Sequence, residues 1–249
     1  MKNKLKVKNI RKIFLNNNVE TEAIHDISFD VKNGEIIAIV GTSGCGKSTL
    51  LNIISGLENA TSGECIFDSD NPKISYMLQS DSLLSWKSVY DNACLGLELL
   101  KIDTNENRDY VKKLLKEYGL NEFIDKKPDC LSGGMRQRVA LIRSLAIKPD
   151  ILLLDEPFSA LDYYTRITIA NDVCNIVKKM KMTTILITHD IAEALSIADK
   201  IIVLSSRPSV VKKIYDVSFS DYGNIFEKRS LKEFNELYEK IWRELDVKI

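Results

Sequence analysis

Apolar and polar residues alternate from Leu5 to Phe14 and again from Ala23 to Val31. That period of two predicts half-buried strands, with Asn16-Asn17-Asn18 as the turn between them. Asn33-Gly34 is a tight turn into Glu35-Ile36-Ile37-Ala38-Ile39-Val40, a run apolar enough for a buried strand. After it, Leu50 to Ser55 carries apolar residues at helical spacing. Glu64 to Phe67 and Lys73 to Leu78 read as two more short strands, parted by the polar stretch from Asp68 to Pro72. From about Ser88 to Ala146 the period is helical. Val89, Ala93, Leu97 and Leu100 share one face, and Tyr110, Leu114, Leu115 and Tyr118 another, with Gly119 closing that helix. Apolar runs return at Ile151 to Asp155, Thr183 to Thr188 and Lys200 to Leu204, the pattern of strands buried in a parallel sheet. Helical stretches from Tyr164 to Met180 and from Ile191 to Ala198 alternate with them, which implies βαβ units. Leu231, Phe234, Tyr238, Ile241, Trp242 and Leu245 predict a helix over about 230–246, packed on the core. The class is α/β, and the segment about 88–146 is a helical insert.

The 249 residues, 45% hydrophobic and 28% charged, suffice for one large α/β domain. A net charge of +0 gives no reason to expect nucleic acid as a partner. Lys2, Lys4, Lys6 and Lys8 interleave with Leu5 and Val7, so they read as the wet face of the first strand. No apolar run reaches the ~20 residues a bilayer crossing needs. The basic start is not followed by the apolar stretch of a signal peptide, so the expectation is a cytoplasmic chain. Cys45, Cys65, Cys94, Cys130 and Cys174 are scattered, without metal-ligand spacing, and read as reduced thiols.

Chemistry concentrates at Gly41-Thr42-Ser43-Gly44-Cys45-Gly46-Lys47-Ser48-Thr49, which fits G-x-x-x-x-G-K-[ST] between a buried strand and a helix. Glycines let the backbone wrap closely around phosphate, and a helix N-terminus offers N–H groups and a positive dipole end. Lys47 supplies a charge to the β- and γ-phosphates, and the Ser48 hydroxyl suits Mg²⁺. Cys45 reads as a neighbour of phosphate, not a nucleophile. Asp155 and Glu156 end another buried strand, and ligands of parallel sheets gather at that edge. Asp155 can hold Mg²⁺ through water. Glu156 can polarise a water for attack on the γ-phosphate. His189 follows a third apolar strand and is a candidate γ-phosphate contact. Gln79 follows a fourth, with an amide suited to Mg²⁺ or the attacking water.

Leu131-Ser132-Gly133-Gly134-Met135-Arg136-Gln137-Arg138 opens another helix, with Ser132 as its N-cap. A second anion cradle in a chain that already has one suggests a partner's nucleotide. This stretch resembles the signature of ATP-binding cassette (ABC) ATPases, with Met135 where Gln is more usual. The order of phosphate loop, Gln79, signature, Ile151 to Pro157, Ser159-Ala160-Leu161-Asp162 and His189 fits that family along essentially the whole chain. The resemblance implies a single ABC ATPase domain over 1–249: a P-loop NTPase core with an antiparallel β subdomain and a helical subdomain. It implies ATP and Mg²⁺ as ligands, with Lys47, Ser48 and Thr49 on phosphate and metal, Asp155 on Mg²⁺ through water, and Glu156 as catalytic base. It also implies that His189 holds the γ-phosphate and that Gln79 couples the site to a membrane partner. Ser132 and Gly134, with Gly133 between them, would contact the γ-phosphate across a head-to-tail dimer, with Asp162 at its seam. Phe14 resembles the aromatic that stacks on adenine, and core packing accounts equally for an aromatic there.

Leu83-Leu84-Ser85-Trp86 and Val89-Tyr90-Asp91-Asn92 resemble the importer surface that meets a permease's coupling helix, with Ser85 in place of proline. Leu204-Ser205-Ser206-Arg207-Pro208 and the segment from Leu237 to Leu245 are similar to nitrate/sulfonate/taurine importer ATPases, with Ser209 where glycine is frequent. The implied partners are a second copy in an ATP sandwich, separate transmembrane permease subunits and an extracytoplasmic solute-binding protein. The implied location is the inner face of the cell membrane. An exporter, a lipoprotein-release ATPase and a non-transport ABC ATPase are the alternatives.

Overall fold

The computed structural model describes residues 2–16, 19–219 and 224–245; of the expected turn Asn16-Asn17-Asn18, Asn16 is instead the last residue of the first strand, and Asn17, Asn18 and the expected helix end at Asp246 lie outside the described residues. In chain order the elements are β1 (Asn3–Asn16), β2 (Val19–Lys32), β3 (Ile36–Val40), α1 (Lys47–Ile54), β4 (Ser62–Phe67), β5 (Ile74–Met77), α2 (Val89–Leu99), α3 (Asn105–Glu117) and α4 (Gly133–Ala146). Then follow β6 (Ile151–Asp155), α5 (Tyr163–Lys179), β7 (Thr183–Thr188), α6 (Ile191–Ile197), β8 (Lys200–Leu204), β9 (Ser209–Asp216), α7 (Ile225–Arg229) and α8 (Lys232–Glu244). The chain forms two compact units, Met1–Pro72 with Ala170–Ile249, and Lys73–Ile169. No helix among the described residues is long and apolar enough to cross a membrane.

In the first unit the strand order is β4-β1-β2-β9-β8-β3-β7. β3 runs parallel to β7 and β8, and every residue of β3 and β7 is buried, which is why both read as unbroken apolar runs. β1 pairs antiparallel with β2 and β4, so these strands keep one wet face and alternate. The turn into β3 is as expected: Glu35 N–H donates to Lys32 O at 3.1 Å, and Gly34 has φ +75°. β9 was not legible in the pattern, because of its eight residues only Ser209 is buried. On α8, Phe234, Ile241 and Leu245 are buried as expected. Trp242 instead lies outward, stacked on Tyr238 with ring centroids 6.3 Å apart.

In the second unit β5 and β6 are parallel, from Ile74 beside Ile151 to Met77 beside Leu154. Helices α2, α3 and α4 pack on one another through Val89, Ala93 and Leu97, Val111, Leu114 and Leu115, and Val139 and Ile142. Ser88 and Thr104 cap α2 and α3 with their hydroxyls. Leu100 does not join the α2 face, because the helix ends at Leu99 and Leu100 is 53% exposed. Past α3, Gly119 has φ +73° and Leu120 N–H donates to Leu115 O at 2.8 Å, the expected glycine closure.

Candidate functional site

The first group of residues lies in the first unit. β3 ends buried at Val40, and the loop from Gly41 leads into α1. Gly46 is the N-cap of α1, at φ +108° and with no side-chain cap. An anion at this helix start therefore competes with no capping side chain for the first-turn N–H groups. A Cβ on Gly46 would stand 3.1 Å from Ala23 O and 3.3 Å from Ser209 Oγ; one on Gly41 would stand 2.7 Å from Cys45 Sγ. Thus β2, β9 and the Cys45 side chain support the loop from below. Lys47 is 6% exposed, and its Nζ donates to Gly41 O at 2.9 Å and Thr42 O at 3.1 Å. Burial pushes the Cys45 thiol above its ordinary range, which suits a packing role for that side chain. Ser43, Gly44 and Ser48 are exposed, and Thr42 and Thr49 half-buried.

Val40 of β3 lies beside Thr188 of β7, so Gly41 and His189 each follow one of two paired strand ends. His189 is exposed on a short turn. Asp190 N–H donates to Thr188 Oγ1 at 3.0 Å, and Asp190 Oδ1 caps α6 by accepting from Ala192 N at 2.8 Å and Glu193 N at 3.1 Å. Phe14, half-buried on β1, carries the Lys12 ammonium 4.8 Å from its ring centroid.

The second group lies in the second unit. Asp155, the last residue of β6, is 8% exposed and accepts a hydrogen bond from Tyr76 OH at 3.1 Å on Oδ2. Burial, and then the Asp155 carboxylate, push the Tyr76 phenol up, so it remains a donor. Nothing in the pattern of β5 pointed to Tyr76. Glu156 follows with φ +45°, a turn of the chain directly after the strand. Ser159 N–H and Oγ both donate to Glu156 O, at 3.2 and 3.0 Å, and Gln79 Nε2 donates to Ser159 Oγ at 3.3 Å. Gln79 is exposed two residues past β5, because the strand ends at Met77 and not at Leu78 as expected. Gln79, Ser80, Asp155 and Ser159 line an open cleft of about 470 Å³.

Also in the second unit, Ser132 Oγ caps α4 by accepting from Met135 N at 3.3 Å. A Cβ on Gly133 would meet Leu161 Cδ2 at 3.3 Å, and one on Gly134 would meet Thr165 Cγ2 at 2.9 Å and Ile169 Cδ1 at 3.4 Å. The glycines let the start of α4 lie close against the segment that carries Asp162. Asp162 Oδ1 accepts from Thr165 N at 3.1 Å, and the Thr165 side chain, followed by this backbone bond, holds its carboxyl below the usual range. Leu84 is fixed at both backbone groups by the buried Asn92: Leu84 N–H donates to Oδ1 at 2.7 Å, and Nδ2 donates to Leu84 O at 3.0 Å. Trp86, close by in sequence, is 70% exposed.

Among the described residues, no three His, Cys, Asp or Glu cluster as a metal cage. Ser48 in the first unit, and Gln79 and Asp155 in the second, each offer an oxygen donor of the kind Mg²⁺ takes, since that ion uses one or two carboxylates and completes its shell with water and substrate phosphates.

The family profile described as ABC transporter matches residues 24–159. An uncharacterised ABC transporter ATP-binding protein, YtlC of Bacillus subtilis, is 41% identical over 91% of this chain and 90% of its own length. The nitrate import ATP-binding protein NrtD of Synechococcus elongatus is 41% identical over 79% of this chain and 75% of its own length. Among solved structures, a dimeric post-hydrolysis state of the ATP-binding cassette MJ0796, bound to ADP and Pi, superposes with a TM-score of 0.74 at 31% identity. That match covers 86% of this chain and 98% of the cassette.

Proposed function

The chain belongs to the ATP-binding ATPases of the ABC transporter family, and from that premise we propose that it drives uptake of nitrate-, sulfonate- or taurine-type small solutes through separate permease subunits. The observation that carries the nucleotide site is the uncapped start of α1, with Gly46 at φ +108° and Lys47 drawn into the loop. Residues Gly41 to Thr49 bind the phosphates, and Phe14 stacks on adenine. When bound, Mg²⁺ would supply positive charge that offsets the phosphates; Ser48 and Gln79 would hold it, and Asp155 would reach it through water.

Water attacks the γ-phosphorus, the bond to the β–γ bridging oxygen breaks, and ADP and phosphate leave. Glu156 takes the water's proton, and His189 holds the γ-phosphoryl oxygens. Two copies close over two ATP molecules, with Ser132, Gly133 and Gly134 of each on the other's γ-phosphate and Asp162 at the seam. The Leu83–Trp86 surface, fixed by Asn92, meets the permease at the inner face of the membrane, and a solute-binding protein delivers cargo outside.

Glu156→Gln tests the chemistry: it should abolish phosphate release, keep ATP binding, and elute as an ATP-dependent dimer in size-exclusion chromatography. A monomer under ATP refutes the sandwich. Reconstitution with the permease subunits should give ATP-dependent uptake of labelled nitrate, taurine or sulfonate; efflux instead identifies an exporter.

A further inference from the structure

We propose that Lys12 is a positioning residue that sets the Phe14 ring for the adenine base and ties it to the helix behind the phosphate loop. The proposal rests on the reading of Phe14 as the base-stacking residue. Lys12 and Phe14 are two apart on β1, so they share a face of the strand. Lys12 is 9% exposed, and a lysine so deeply placed needs partners for its charge. It has three. Its Nζ donates to a Glu58 carboxylate oxygen at 2.7 Å and to Asn59 O at 2.7 Å, and it sits 4.8 Å from the Phe14 centroid.

Glu58 closes the circuit. Its N–H and that of Leu57 donate to Asn52 O in α1, at 3.1 and 2.9 Å. Helix α1 itself begins in the phosphate loop, at Lys47. One connected path, all within the first unit, thus runs from the phosphate loop through α1, Glu58 and Lys12 to the aromatic ring. The bond from Lys12 also holds the Glu58 carboxyl below its ordinary range, so that carboxyl is ionised at neutral pH.

The physical effect is preorganisation. An ammonium held over a ring restrains it, and the ordering is complete before any base arrives, so stacking loses less freedom. Lys12 touches neither phosphate nor base. Its removal should weaken only the part of the affinity that the base supplies.

The test compares calorimetric binding of Mg-ATP with that of Mg-tripolyphosphate, which carries the phosphates and no base. Lys12→Met, which keeps the apolar stem, should weaken ATP about three- to tenfold and leave tripolyphosphate unchanged. Lys12→Arg should restore most of the loss. Equal losses for both probes, or none for either, overturn the proposal. If Phe14→Ala leaves the ratio of the two affinities unchanged, the base-stacking reading itself fails and the proposal falls with it. If Phe14→Ala lowers the ratio and Lys12→Met does not, the role of Lys12 alone is refuted. Should Lys12→Met not fold, Glu58→Ala decides: a smaller loss of the same ratio supports the tie, and an unchanged ratio overturns it.

Discussion

Replacing Gly46 and Gly44 by alanine, one at a time, separates backbone conformation from packing in the phosphate loop. Both glycines have positive φ, +75° at Gly44 and +108° at Gly46. At Gly44 a Cβ meets nothing within 4 Å. The left-handed conformation then costs about 1–2 kcal/mol, and the stiffer unfolded chain returns about 0.4–1 kcal/mol, leaving a net loss of about 1 kcal/mol or less. At Gly46 the φ lies further from the left-handed well, for about 1–3 kcal/mol. The Cβ would also lie 3.1 Å from Ala23 O, a backbone atom of β2, held between β1 and β9. That atom cannot rotate away as a side chain could, so overpacking adds about 1–3 kcal/mol. The Gly46→Ala loss should exceed the Gly44→Ala loss by about 2 kcal/mol. With a slope of about 2–3 kcal/mol per molar urea, the Gly46→Ala midpoint falls about 0.7–1 M below that of Gly44→Ala. Urea unfolding followed by circular dichroism measures this, and ATP calorimetry on the same variants should show the larger defect at Gly46. Equal midpoints for the two variants would refute the argument, since the Ala23 contact and the less favourable φ at Gly46 both lower the Gly46→Ala midpoint.

Asn92→Ala leaves the half-buried Leu84 N–H without its partner, whereas Leu84 O keeps the Lys87 N–H at 3.1 Å, and should cost about 1–3 kcal/mol in urea unfolding, with altered Trp86 fluorescence; a change below about 0.5 kcal/mol, the scale of a surface substitution, would exclude the clamp. Asp162 has a lowered folded pKa, so its contribution is complete above the unfolded value near 3.8 and is lost as pH falls through the folded value. Asp162→Asn still caps α5, so it should lose less stability than wild type on acidification; identical acid midpoints would contradict this. Cys130 is exposed whereas Cys45 is buried with a raised thiol pKa, so mass spectrometry after brief alkylation should find Cys130 modified well before Cys45. Early modification of Cys45 would be inconsistent with its place beneath the loop.

The buried strands were legible because burial on both sides demands an uninterrupted apolar run, as at Ile36–Val40 and Thr183–Thr188. The loop and the strand-end residues were legible because phosphate binding and strand topology each constrain a short, contiguous stretch. β9 was not, because a mostly exposed strand flanked by partners on both edges needs few apolar side chains. Tyr76 and Lys12 escaped for another reason. Tyr76 meets Asp155, 79 positions away, and Lys12 meets Glu58, 46 positions away, so no local pattern carries either pairing. Trp242 showed the opposite failure: helical spacing placed it on the apolar stripe, but the buried stripe of α8 is narrower and passes through Phe234 and Ile241.

The bonds from the Lys47 ammonium to Gly41 O and Thr42 O give that side chain a second employment as a fastener of the loop it belongs to. An alanine variant therefore removes shape together with charge, and its weaker nucleotide binding overstates what electrostatics alone contributes. Arginine would keep the charge, yet its flat fork is ill suited to two carbonyls converging on one tetrahedral nitrogen. On the proposed phosphate role of Lys47, nucleotide arrival is an exchange of partners at a clasp already shut.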